Sequence, residues 1–398
     1  MVTLLLIIIY ASFISLGLPD SLFGVSWPVI HTALGADMGF ASLLTILIGL
    51  CTAGMSLFAG RFIRRFGTGP VTAVSVLLTA LGLFGVSLCP TVCWMIPCMI
   101  CIGLGAGAVD VGLNDYVATH FKARHMNWLH CFWGLGVTLS PLIMAHFLKS
   151  ASWREGYRSV ALIQCGFALL LLCALPLWKA VAARRAAGPS ETPESLPEPD
   201  IRPIRIPGVP LAMLMLALYC GFEYILGTWT ASYLIYTRHM AAADAAGRAS
   251  LYYGGIMLGR FLCGFAAMRV GDRALIRAGL GVMLLGAALL ALPFGQDCAL
   301  AGLLLIGLGC GPVFPCTLHA TGERFGRRYS ADIVGYQMGG AYCGTLVIQP
   351  LFGLVASRTG FHIMPWALIG LALLQCLLLW RLEARLQNAR LAKEAAHV

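Results

Sequence analysis

Charge is scarce in this chain. Only 11% of its 398 residues are Asp, Glu, Lys or Arg, while 59% are hydrophobic; soluble domains carry about 25% charged residues. That deficit excludes a water-soluble globule. Short alternating segments are missing too, which excludes a β-barrel. The first apolar run is long and has no small-residue cleavage pattern, so it reads as a retained span rather than a signal peptide. No nucleophile–base pair and no metal-ligand set stands at chemical spacing, which argues against an enzyme. Most of the 15 cysteines lie inside apolar runs and read as small packing residues, with Cys89 and Cys93 near a loop as a weak pair.

What is abundant is apolar sequence in long pieces. Runs fall at about 3–31, 39–60, 70–89, 92–119, 127–148, 158–178, 209–236, 249–268, 274–292, 298–320, 332–356 and 361–380. Each is close to or above the ~20 residues a helix needs to cross a bilayer. A polar, proline-rich segment divides six runs from six. The expected fold is therefore an all-α integral membrane protein of twelve spans in two six-helix bundles. Its domains are 1–178, a linker over 179–207, 208–381, and a tail over 382–398. With both ends on one side, that side receives 21 of the 27 Lys and Arg residues. The excess predicts cytoplasmic termini in an inner membrane and accounts for the net charge of +10 without nucleic acid.

The halves repeat one another. Ile102 to Val109 reads IGLGAGAV and Ile306 to Val313 reads IGLGCGPV, an offset of 204 that also relates Arg65-Phe66-Gly67 to Arg269-Val270-Gly271. Near an offset of 203, Asp20 falls on Glu223 and Gly24 on Gly227. An even number of spans per half gives both copies the same orientation, the arrangement in which a solute binds between two rocking halves.

Polar groups within the runs are the functional candidates, because ionisable residues at membrane depth usually mark a solute or ion path. Asp20, Asp110 and Glu223 are the candidate proton carriers. Asn114 shares a helix face with Asp110 and supplies a donor and an acceptor; a satisfied hydrogen bond is the plainer reading. His130, Trp133, Trp27, Tyr219, Tyr336 and Gln337 are candidate solute contacts, Trp27 fitting the interfacial aromatic belt equally well. Arg64, Arg65, Asp115, Arg260, Arg269, His319, Glu323 and Asp332 are candidates for gating ion pairs near the cytoplasmic ends. Gln164, the lone polar group of span six, reads as packing.

On these residues the chain resembles the major facilitator superfamily over nearly its whole length. It is most similar to the fucose-permease and glucose/galactose symporter branch. The matching segments are GLGAGAVDVGLNDY (103–116), NWLHCFWGLG (127–136), GCGPVFPCTLHATGERFG (309–326) and GYQMGGAYCGTLVIQPLFG (335–353). The resemblance implies proton coupling and sugar contact at Asp110, with Asn114 beside it. Trp133 stands where fucose permeases carry a sugar-binding asparagine. Their helix-one aspartate aligns near Gly24, one turn beyond Asp20. Gly60 lies near where the superfamily's usual aspartate follows helix two.

The expected activity is proton-coupled alternating-access transport of a sugar or similar small hydroxylated solute. The protein would act as a monomer in the lipid bilayer, with the proton as its coupling ion and no other cofactor. A drug or lipophilic-solute exporter, and a non-transporting solute receptor, remain open alternatives at this level.

Overall fold

The computed structural model describes residues 2–121, 123–150, 152–186, 202–267 and 269–396. The first half contains α1 (Val2–Ala33), α2 (Phe40–Phe66), α3 (Thr68–Leu88), α4 (Met95–His120), α5 (Ala123–Leu148), α6 (Trp153–Cys173) and α7 (Leu175–Ala186). The second contains α8 (Val209–Tyr236), α9 (Ala242–Ala266), α10 (Asp272–Ala291), α11 (Gln296–His319), α12 (Thr321–Phe325), α13 (Ser330–Thr359) and α14 (Met364–Ala396). Among the described residues, eleven helices are long and apolar enough to cross a membrane. Outside that set are the short α7 and α12 and one helix of spanning length, α9, which carries Asp244, Arg248 and Arg260. Its polar groups are tolerated because α9 packs between α5 and α11.

Two boundaries differ from the sequence expectation. Pro176 removes a backbone donor just after Cys173, so the sixth run divides into α6 and α7. Helix α7 then continues to Ala186, into the expected linker, because Trp178 and Val181 bury themselves against the first half. Residues 187–201, the centre of that linker, lie outside the described residues.

The repeated glycines explain how each half holds together. Helix α4 meets α2 and α3, and α11 meets α9 and α10, in the same arrangement. A Cβ on Gly105 would lie 2.6 Å from the Ser75 carbonyl oxygen of α3; one on Gly309 would lie 2.6 Å from the Gly279 carbonyl oxygen of α10. Only glycine permits such backbone approach. Two of the prolines within helices have matched partners as well. Pro19 cannot donate to the Ser15 carbonyl, and Gln164 Nε2 of α6 donates to it instead at 2.6 Å. Pro141 likewise frees the Val137 carbonyl, which accepts from Ser21 Oγ at 2.8 Å.

The halves meet unevenly along the membrane normal. One apolar cluster crosses both, joining Leu22, Trp27 and Ile30 of α1 to Trp229 and Tyr233 of α8 at the side remote from the chain ends. On that far side His31 Nε2 and the Tyr236 hydroxyl are 2.9 Å apart, and Gly24 of α1 abuts Gly227 and Thr228 of α8. Toward the terminal side the apolar clusters separate, one around Leu5, Ile9 and Leu129, the other around Val209, Ile333 and Leu382. Gly54 of α2, Gly264 of α9 and Gly335 and Gly339 of α13 face open space there. The seam is sealed on the far side and parted on the terminal side.

Candidate functional site

Polar groups converge where the seam begins to part. Asp20 lies mid-way along α1, 13 residues before Ala33, or about 20 Å at ~1.5 Å per residue. Every residue from Ser15 to Pro28 of α1 is buried except Asp20, which is exposed. A carboxylate exposed at membrane depth, and bonded to a neighbouring helix, faces an internal chamber rather than lipid. Its Oδ2 accepts from Trp133 Nε1 of α5 at 2.8 Å.

Trp133 carries the connection into the second half. The Arg260 guanidinium of α9 stacks on its ring, with Cζ 4.8 Å from the centroid. Arg260 Nη2 lies 3.6 Å from Glu223 Oε1 of α8, with the two side chains only 11% and 12% exposed. Asp20, Trp133, Arg260 and Glu223 thus form one chain across the seam. The pairing is loose: 3.6 Å exceeds hydrogen-bond length, and among the described residues Arg260 Nε is buried without a partner. The sequence repeat that matches Asp20 to Glu223 has put the two carboxylates at opposite ends of this chain.

Asp110 forms the other acidic pole. Asn114 Nδ2, one turn along α4, donates to its Oδ1 at 2.8 Å and to its backbone carbonyl at 2.9 Å. Both residues are half-buried. Asp110 lies within electrostatic range of Asp20 of α1 and of Tyr342 of α13. Tyr224 of α8 is 53% exposed, and the charges of Asp20 and Glu223 reach it. Tyr224 and Tyr342 were legible in the sequence only as aromatic residues next to polar ones.

The other predicted residues divide between the edge of this group and positions away from it. His130 stands edge-on to Phe13, ring centroids 5.8 Å apart, within reach of the Arg260 charge. Tyr219 is fully buried, donating to the Cys310 carbonyl at 2.9 Å from a position beside Glu223. Trp27 is fully buried on the far side and its Nε1 donates to the Met38 carbonyl at 2.9 Å, so it pins the α1–α2 turn rather than lining the chamber. Tyr336 is 36% exposed on the terminal half of α13. Gln337 is buried, with its Oε1 accepting from Thr321 at 2.9 Å. Gln164, expected only to pack, serves the carbonyl freed by Pro19; the signal available was Ser15, four residues before that proline.

Among the described residues, the gating candidates other than Arg260 lie on the terminal side and do not form one network. Arg64, Arg65, Arg269, Glu323 and Asp332 are exposed. His319 Nδ1 lies 2.7 Å from Asp272 Oδ2, tying α11 to α10. Arg260 sits deeper, in the chamber. The Asp115 side chain lies outside the described residues. Beside this group, Arg324 is 7% exposed, and among the described residues none of its three guanidinium nitrogens has a hydrogen-bond partner. Burial, and then the Arg273 charge, holds it below the usual arginine range.

A family model described as Major Facilitator Superfamily matches residues 9–339 and 249–397. The chain belongs to the Major Facilitator Superfamily. As a superfamily member it has a transporter's fold rather than an enzyme's, in keeping with its two helical bundles. It is 24% identical over 354 residues to the cyanate transport protein CynX of Escherichia coli, covering 85% of this chain and 86% of that one. It is 28% identical to the niacin transporter NiaP of Acinetobacter baylyi over 118 residues, 28% of this chain and 27% of that relative. Among solved structures, the D-xylose-proton symporter matches with a TM-score of 0.71 at 14% identity, covering 95% of this chain and 97% of that chain. That likeness is one of fold.

Proposed function

We propose that this superfamily member is a proton-coupled secondary transporter of a small, hydroxyl-bearing solute of about sugar size, working by alternating access. The observation that carries the proposal is the chain Asp20–Trp133–Arg260–Glu223, which crosses the seam of the two halves at mid-membrane, with Asp110 nearby. Three carboxylates against one guanidinium are costly to enclose while ionised. Proton uptake lowers that cost, and so ties closure of the chamber to the proton gradient. Asn114, Tyr224 and Tyr342 offer hydrogen bonds to hydroxyls, and the Trp133 ring offers a flat apolar surface.

The resemblance to the fucose-permease branch supports a hydroxylated solute, and the fold-mate named as a proton symporter supports the coupling. Relatives named for niacin and cyanate keep the solute class wider than sugars. The basic excess on the terminal side supports cytoplasmic termini, which makes the present conformation the one open to the cytoplasm. The density of charge at the seam disfavours a lipophilic exporter.

The test is proton movement in proteoliposomes holding the purified protein. Hydroxylated solutes, added under an imposed pH gradient, should drive concentrative uptake in the wild type. Asp110→Asn should bind solute yet fail to concentrate it. Unchanged concentrative uptake by that variant would remove Asp110 from the coupling role.

A further inference from the structure

Arg260 has a capacity that its surroundings leave unused. A guanidinium has five N–H donors in a planar fork that matches a carboxylate through two parallel bonds. Among the described residues, Arg260 makes no hydrogen bond; its ion-pair partner, Glu223 Oε1, stands off at 3.6 Å, and its Nε is buried without a partner. The Trp133 ring beneath it holds the fork in one plane. A neutral sugar would leave this buried cation under-bonded, which is expensive.

We propose that the transported solute carries a carboxylate, a small organic monocarboxylate that docks on Arg260 in place of Glu223. This rests on the carrier reading above and names its solute class. When Glu223 takes a proton it loses its claim on Arg260, and the solute carboxylate takes the vacated place. Asp20 keeps Trp133 oriented through its 2.8 Å bond. The solute adds one negative charge and the proton one positive charge. One proton per monocarboxylate therefore leaves the chamber's net charge as it was. Binding of each is favoured by the other, and by the same factor.

Acidic conditions should accordingly strengthen solute binding. The groups within range of the Arg260 charge are Glu223, Tyr219 and Cys220 on α8, with His130 and Cys131 on α5, and Asp20 on α1 is joined to it through Trp133. Cys310 of α11 completes that set; Tyr224 of α8 and Tyr252 of α9 stand near Glu223, and Asp110 acts on Asp20.

Matched acids and neutral analogues test this on the purified full chain: lactate against lactamide, gluconate against sorbitol, and 4-hydroxybenzoate against 4-hydroxybenzamide. Thermal stability is read at acidic and neutral pH, and proton uptake is read in proteoliposomes. At least one acid should raise the melting temperature, more at acidic pH, and carry protons inward, while its neutral partner does neither. Arg260→Gln should weaken that acid by about thirtyfold or more, and Arg260→Lys by nearly as much, since an ammonium cannot make the two parallel bonds. A neutral analogue that binds and carries protons as well as its acid overturns the carboxylate proposal and leaves the carrier reading standing. Proton movement with neither acids nor neutral analogues overturns both.

Discussion

One methyl group at Gly24 should tip the balance between the two faces of this transporter. Gly24 and Gly227 are counterparts in the internal repeat, and they meet where α1 crosses α8 on the far side. A Cβ at position 24 would stand 2.7 Å from Thr228 Cα and 2.8 Å from the Thr228 carbonyl oxygen. Carbon atoms prefer about 3.5–4.0 Å, and both obstacles are backbone, so the helices must part by about 1 Å. Overpacking of this kind costs ~1–3 kcal/mol. The cost falls only on the sealed state, so the population of that state should drop by about 5- to 150-fold relative to states open on the far side. Gly227→Ala is the control, because its new methyl meets only the Tyr253 hydroxyl, at 3.0 Å, and a side chain can give way. Hydrogen exchange reads the outcome at residues 30–40 and 234–242, where His31 and Tyr236 close the seam. Gly24→Ala should speed exchange there and slow transport; Gly227→Ala should do so much less. Equal exchange in wild type and Gly24→Ala would show that this contact does not seal the far side.

Three further perturbations probe other contacts. Gln164→Leu strands the Ser15 carbonyl that Pro19 has already deprived of its donor, and should lower stability by ~1–3 kcal/mol. Adding Pro19→Ala should restore most of the lost melting temperature, and failure to rescue would discard that pairing. Trp133→Phe keeps a ring beneath Arg260 but loses the bond to Asp20. It should weaken solute binding less than Trp133→Leu, which loses both; equal effects would mean the ring face contributes nothing. Arg324→Met removes a buried guanidinium with no hydrogen-bond partner among the described residues and should leave the melting temperature level or raise it. A fall of several degrees would show that the charges of Glu383, Asp272 and Glu323 hold Arg324 more firmly than its geometry suggests.

Much of this architecture was legible in the residues because the bilayer allows so few choices. A backbone that cannot hydrogen-bond to lipid must be helical or a closed barrel, so long apolar runs are enough to count helices and to choose all-α. Repetition of Gly-x-Gly-x-Gly declared two like halves, because a glycine that admits a neighbour's backbone in one copy must do so in the other. Depth alone flagged Asp20, Asp110, Glu223 and Arg260 as out of place in hydrocarbon.

What remained hidden depends on which helix faces stand opposite each other, and that is decided between helices far apart in sequence. No spacing rule links Trp133 to both Asp20 and Arg260, or Gln164 to the carbonyl freed by Pro19. Trp27 read equally as a chamber residue or an aromatic-belt residue until α1 packed its ring against the far-side turn. Helix α7 was hidden in a charged stretch because Trp178 and Val181 are an apolar stripe only when the first half is there to receive them. Helical spans follow from the solvent; the chamber and its electrostatics exist only once two bundles have been placed against each other.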